Sequence, residues 1–293
     1  MRHPGSSTVA LVCALVAILI WSSLATLGVS LSGVPPLLLI GASLIVGGLL
    51  SAPWARQWTL RWQSIAVGCY GMLAYHLLFV LALRNAPPVS ANLVHYTWPA
   101  LIVLLSPLVA KGRPIGAAHA LCALVGFAGA ALAILGGGPS AQLEFRWGYV
   151  FAIGAALVWS TYSLTLSRVG SSSTPDVGLA CLVSGGACLL LHALLEPGIQ
   201  LSTSQILGLL SLGGGPMGAA FYLWAYALKH GDPRVIGVMA NATPLLSTAM
   251  LALSGRGAIT GTLLMAALLV SAASLVALRS HGSLSARRLS ADA

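Results

Sequence analysis

Charge in this chain is confined to short connections, and between them lie apolar stretches long enough to cross a bilayer. Only 6% of the 293 residues are Asp, Glu, Lys or Arg, whereas 58% are hydrophobic. A soluble domain carries about 25% charged residues because its surface must be wetted. A membrane helix needs roughly 20 apolar residues, and such runs follow one another at roughly 9–30, 35–53, 64–83, 88–109, 115–135, 147–167, 175–195, 204–228, 234–254 and 258–278. The composition therefore predicts an all-α membrane protein with ten transmembrane helices and no soluble domain. The eighth stretch contains Gly213-Gly214-Gly215-Pro216, which reads as a broken helix or as a loop between two short ones. Arg2 precedes the first run, but that run continues through Trp21 to Val29 without a small-x-small site after a short core, so a retained span is expected rather than a cleaved leader.

The two halves echo one another. Ala82-Leu83-Arg84, Pro88, Pro99 and Lys111-Gly112 return 145 positions later as Ala227-Leu228-Lys229, Pro233, Pro244 and Arg256-Gly257. Ala17, Leu19, Trp21 and Ser22 return after 138 positions as Ala155, Leu157, Trp159 and Ser160. One loop insertion accounts for the difference of spacing. The chain thus divides into a first five-helix repeat (1–139), a second (140–279) and a polar tail (280–293) expected to be disordered. Five is odd, so the second repeat enters the membrane from the opposite face. Two inverted repeats are a recurrent plan of secondary transporters, although channels use it too.

Ten spans place both termini on one face, together with Arg2, Arg56, Arg61, Lys111, Arg113, Arg168, Lys229, Arg234, Arg279, Arg287 and Arg288. The other face holds only Arg84, Arg146 and Arg256. This bias puts both termini in the cytoplasm. It also accounts for the net charge of +9 without a nucleic-acid partner.

Polar and aromatic residues at membrane depth mark the candidate site. Trp54, Trp58, Trp62 and Trp147 fall at span ends and read as interfacial anchors. Trp21, Trp98 and Trp159 fall near span centres, where an indole N–H needs a partner or a wet cavity, or where the ring simply fills a gap between helices. Trp224 lies nearer an end and is ambiguous. Tyr70, Tyr75, His76, Asn92, His95, Tyr96, Thr97 and Trp98 form the densest cluster. Asn92, Tyr96 and Pro99 share one helical face, matched by Asn241, Pro244 and Thr248 in the second repeat. Proline inside a helix removes a hydrogen bond to the residue four earlier, so Pro99 and Pro244 predict kinks that loosen the carbonyls of His95 and Ala240.

Several chemistries lack their residues. The five acidic side chains (Glu144, Asp176, Glu196, Asp232, Asp292) all fall in connections or the tail, so no carboxylate relay crosses the membrane. His76 and His95 could couple protons or simply hydrogen-bond. No HExxH, GxSxG or CxxC pattern occurs, and Cys13, Cys69, Cys122, Cys181 and Cys188 sit in apolar runs as small buried residues. Neither a metal, a cofactor nor an enzymatic activity is expected. Small-residue faces such as Gly126/Ala130 and Ala267/Ser271 suit close helix packing in a monomer or homodimer alike.

Two repeats with a Trp-Ser pair in the first helix and an A-L-[RK]-x₃-P-x₁₀-P run over the third and fourth resemble the drug/metabolite transporter superfamily (EamA-like) across residues 8–279. Within it the chain is most similar to the YddG-type bacterial exporters of aromatic amino acids. That resemblance implies a ten-helix inner-membrane carrier working by alternating access around a central cavity. One feature departs from the family: the glutamate often found after glycine at the end of the fourth helix is missing, for the chain reads Lys111-Gly112-Arg113 and Arg256-Gly257. The resulting expectation is export of aromatic or hydrophobic amino acids, bound by Trp21, Tyr75, His76, Asn92, His95, Tyr96, Trp98, Trp159, Tyr222 and Asn241. A carrier of other small metabolites or cationic drugs, or a channel-like facilitator, remains as an alternative.

Overall fold

The computed structural model of the chain describes residues 4–58, 61–109, 117–135, 146–169, 174–230, 239, 242–256 and 260–272. All regular structure among them is helical, with no strand. The α-helices are α1 (Pro4–Ser22), α2 (Leu24–Ser30), α3 (Pro36–Leu49), α4 (Trp62–Cys69), α5 (Tyr75–Asn85), α6 (Pro88–His95), α7 (Trp98–Val109), α8 (Ala117–Leu135), α9 (Trp147–Val169), α10 (Thr174–Leu195), α11 (Thr203–Gly214), α12 (Ala220–His230), α13 (Thr243–Leu253) and α14 (Gly261–Ala272). Four stretches are long and apolar enough to cross a membrane: Thr8–Ser30, Trp62–Asn85, Asp176–Leu195 and Thr203–Trp224. Their outward faces carry large apolar side chains, among them Leu194 (70% exposed) and Leu195 (72%). So much exposed apolar surface needs lipid around it.

Several elements add to or differ from the sequence reading. The first stretch is interrupted at Ser23, between α1 and α2. There the hydroxyls of Ser22 and Ser23 donate to the carbonyls of Ile18 and Ile20, both at 2.7 Å, and such back-bonding competes with a regular helix. The fourth stretch is not one helix kinked at Pro99. It turns at Tyr96–Thr97, and Pro99 occupies the first turn of α7, where a missing N–H costs nothing. Pro244 likewise lies in the first turn of α13. In the Gly213–Pro216 region the α-helix is broken rather than looped: α11 ends at Gly214, Gly215 leaves helical backbone angles, and a π-helical turn, Gly215–Ala219, carries the chain into α12. A second π turn, Tyr70–Ala74, joins α4 to α5, and the sequence reading had missed it. Asn241, most of the ninth stretch before α13 and the tail from 280 lie outside the described residues.

Helix pairing follows the repeat. The most extensive contacts join α3 to α10, α5 to α9 and α1 to α12. Exchanging corresponding elements of the two halves turns α5–α9 into α12–α1 and returns α3–α10 to itself. The weaker pairings behave likewise: α6 and α7 pack on α9, as α13 packs on α1. The α3–α10 seam is close because glycines face backbone. A Cβ on Gly48 would lie 2.8 Å from the Gly178 carbonyl, and one on Gly185 2.9 Å from the Gly41 carbonyl. Seven residues separate the paired positions on each helix, in opposite directions, so the two helices run antiparallel.

One end of this seam is pinned by a carboxylate. α3 begins at Pro36 with no cap from its own segment, yet its first-turn N–H groups need acceptors. Glu196, just past α10, accepts from Leu37 N at 3.0 Å and Leu38 N at 3.3 Å, and from His192 Nδ1 at 2.9 Å. At the same end Arg84 donates to the carbonyls of Leu31 and Val34, and Arg256 to that of Val29 at 3.1 Å. These guanidinium groups cover the carbonyl end of α2, where cations are favoured. Replacing Glu196 with Ala leaves partly buried donors unmet and should cost about 1 kcal/mol. A lower melting temperature in detergent is expected for Glu196→Ala, with a smaller loss for Glu196→Gln, whose carbonyl oxygen still accepts.

Candidate functional site

Between the halves lies a partly open cavity of about 220 Å³. α1, α5, α6, α7, α9 and α12 supply most of its wall. Trp21, Tyr75, His76, Asn92, His95, Tyr96, Trp98 and Trp159 all line it. Tyr222 does not. Its hydroxyl donates to the Gly47 carbonyl at 3.1 Å, and its neighbour Phe221 faces the cavity instead. The remaining sequence candidate, Asn241, is outside the described residues. Leu24, Phe79, Ser163, Pro216, Trp224 and Thr243 complete the lining.

The repeat organises this wall. Trp21 and Trp159 are counterparts at the 138-residue spacing; His76 and Phe221, Phe79 and Trp224, and Trp98 and Thr243 are counterparts at 145. The two π turns obey the same rule, since Tyr70 and Gly215 are also 145 apart. Sequence comparison of the halves could therefore have supplied Phe221 and Trp224, once His76 and Phe79 were placed.

Ring contacts run unbroken from one half to the other. Phe79 stacks on Tyr75 at 6.1 Å; Tyr75 meets Trp159 at 5.0 Å; Trp159 meets Phe221 at 5.9 Å; Phe221 meets Trp21 at 5.6 Å; and Trp21 meets Trp224 at 5.2 Å. Such contacts are worth about 0.5–1.5 kcal/mol each beyond burial. They hold the rings as a fixed apolar track.

Polar groups are few and specific. Asn92 Nδ2 donates to Ser247 Oγ at 2.9 Å, and both residues are buried, which ties α6 to α13 across the halves. α2, α5 and α6 pack at this same end. Ser160 Oγ donates to the Trp98 carbonyl at 2.9 Å and so fixes the start of α7 on α9. His95 is 4% exposed, with ring contacts to Phe79, Tyr75 and Tyr96, and neither of its nitrogens has a partner among the described residues. Leaving such a group unmatched costs about 1–3 kcal/mol, so it is a feature that function has to justify.

Among the described residues no Asp, Glu, Lys or Arg lines the cavity. Among the described residues no cluster of three His, Cys, Asp or Glu could hold a metal. The wall offers ring faces, indole and phenol donors, imidazoles and one amide, a set suited to a small molecule with a large apolar part and no net charge.

Comparison with known proteins points the same way. The model of the EamA-like transporter family matches twice, over residues 8–135 and 146–279. The aromatic amino acid exporter YddG of Ancylobacter novellus is 38% identical over 271 residues, covering 89% of this chain and 94% of the relative. The Escherichia coli K12 protein of the same name is 25% identical over 260 residues, covering 81% and 86%. A solved crystal structure superposes with a TM-score of 0.71 at 37% identity, covering 92% of this chain and 98% of that one. The chain belongs to the EamA-like transporter family, and it is a transporter rather than an enzyme.

Proposed function

We propose that this protein is a secondary transporter of the bacterial inner membrane that exports amino acids, aromatic and hydrophobic ones first, by alternating access through the central cavity. The observation that carries the reading is the uncharged, aromatic-lined cavity shared between two like halves. Rings offer dispersion to an apolar side chain and cation–π attraction to an ammonium group. Indole and phenol hydrogens can meet the carboxylate. Both relatives described above are named aromatic amino acid exporters, which agrees with this substrate class.

In this reading the chain crosses the membrane ten times, as inverted repeats at 1–139 and 140–279, with both termini cytoplasmic. Three observations support it. The family model matches twice at nearly these boundaries. The helix pairings survive exchange of the halves. The start of α9 also lies at the end where α2 and α5 finish, since a Cβ on Gly148 would touch Ala86 and the Asn85 carbonyl carbon. α1 begins at the other end, so the first helices of the two repeats enter from opposite faces.

The competing readings lose ground on specific grounds. A carrier of cationic drugs wants an anionic side chain in the cavity, and none lines it among the described residues. A channel wants a path open at both ends. The Asn92–Ser247 bond and the packing of α2, α5, α6 and α13 draw the halves together at one end, as a carrier between its two open states requires.

Counterflow of labelled phenylalanine in proteoliposomes is expected to saturate and to be accelerated by unlabelled phenylalanine on the opposite side. Trp159→Ala, which removes the ring that bridges Tyr75 and Phe221, should weaken it about tenfold. Flux that rises linearly with concentration, without trans-acceleration, would contradict a carrier. In Asn92→Cys/Ser247→Cys, a short bis-thiol reagent should abolish counterflow, and unlinked protein should retain it. Full activity after linkage would remove this end of the molecule from the transport cycle.

A further inference from the structure

The two π turns precede cavity residues at corresponding places in the halves, yet they present opposite chemistry. Tyr70–Ala74 leads into Tyr75 and His76, and Gly215–Ala219 leads into Ala220 and Phe221. Such turns are rare in helices and concentrate at functional sites, because the i→i+5 pattern displaces one carbonyl from its helical partner. In the first half the imidazole of His76 meets a carbonyl of the turn itself: its Nδ1 lies 2.6 Å from Met72 O, and Met72 is fully buried. A carbonyl oxygen only accepts, so Nδ1 carries the hydrogen.

That bond decides what His76 offers the cavity. With the hydrogen on Nδ1, Nε2 holds a lone pair and can only accept. No protein donor reaches Nε2 among the described residues, and His76 lines the cavity. Among the described residues no carboxylate lines the cavity to support an imidazolium. Asn92 donates one amide hydrogen to Ser247, and its Oδ1 can only accept. The counterpart of His76 in the second half, Phe221, has no hydrogen-bonding atom at all. The indoles of Trp21, Trp98 and Trp159 are donors only.

We infer that His76 is a specificity-determining residue whose Nε2 accepts from the ammonium group of the substrate, while Phe221 takes its apolar side chain. This rests on the amino-acid export reading and sharpens it. One π turn supplies a fixed acceptor and the other a ring, so the substrate lies across the cavity in one sense. The ligand class is a primary ammonium joined to an apolar group, with the carboxylate left to the indole and phenol donors. A molecule lacking the ammonium forfeits a charge-assisted bond, whereas one lacking the carboxylate keeps it.

The test uses two competitors of phenylalanine counterflow in proteoliposomes of the full chain: phenethylamine, which keeps only the ammonium, and 3-phenylpropionate, which keeps only the carboxylate. In the wild type phenethylamine should compete more strongly. His76→Asn retains an N–H for the Met72 carbonyl but has no atom at the Nε2 position. It should weaken competition by phenethylamine about tenfold or more and leave that by 3-phenylpropionate within about twofold. His76→Gln, whose amide reaches the Nε2 position, should recover part of the loss. Stronger wild-type competition by the acid overturns the assignment, as does an equal loss for both probes or an effect on neither. Those outcomes leave the transport reading standing. Lack of any phenylalanine counterflow in the wild type overturns both.

Discussion

Backbone polar groups in a bilayer must be satisfied from within the protein, and this constraint explains where the helices are regular and where they are not. α8, α9 and α10 each run as one continuous helix. Departures from regular helix cluster at the cavity: the break at Ser23 lies between Trp21 and Leu24, the Tyr96–Thr97 turn sits among lining residues, and both π turns border it. At these places side chains add hydrogen bonds to backbone carbonyls. Ser22 and Ser23 cap Ile18 and Ile20, Thr97 caps Val94, and His76 caps Met72. Polar groups committed in this way no longer offer those atoms to substrate, so the wall is apolar by default and polar at only a few points.

Duplication then sets the layout of the wall. Corresponding positions in the two halves line the same cavity, and rings recur as Trp21 with Trp159 and Phe79 with Trp224. The pairs that have diverged are the informative ones. His76 corresponds to Phe221, and Trp98 to Thr243. A symmetric wall would hold a substrate equally well either way round, whereas these two differences give it a polar and an apolar side. Away from the cavity the halves are joined more rigidly, by the glycine-lined α3–α10 seam and by Glu196 on the start of α3.

The sequence revealed the membrane character, the family and most of the cavity, because Trp and His at mid-span are costly unless they face inward. It erred where local geometry departs from 3.6 residues per turn. Tyr222 was placed in the cavity and Phe221 was overlooked because the π turn just before them inserts an extra residue and rotates everything that follows. Pro99 and Pro244 were read as kinks, since proline inside a helix and proline in the first turn of a new one look alike in a sequence. Trp58, grouped with the interfacial anchors, has its indole nitrogen buried, whereas Trp54, Trp62 and Trp147 are more than half exposed. The Glu196 contact joins positions 159 residues apart and had no local signature.

The central claim is that this cavity holds the transported molecule. It is tested most directly on Ser163, a lining residue with no ring to lose. With Cys13, Cys69, Cys122, Cys181 and Cys188 replaced, Ser163→Cys would be labelled by a water-soluble thiol reagent in the presence and absence of amino acids. The account predicts that phenylalanine slows the labelling in a saturable way and that glutamate at the same concentration does not. Labelling at an unchanged rate under saturating phenylalanine would contradict it.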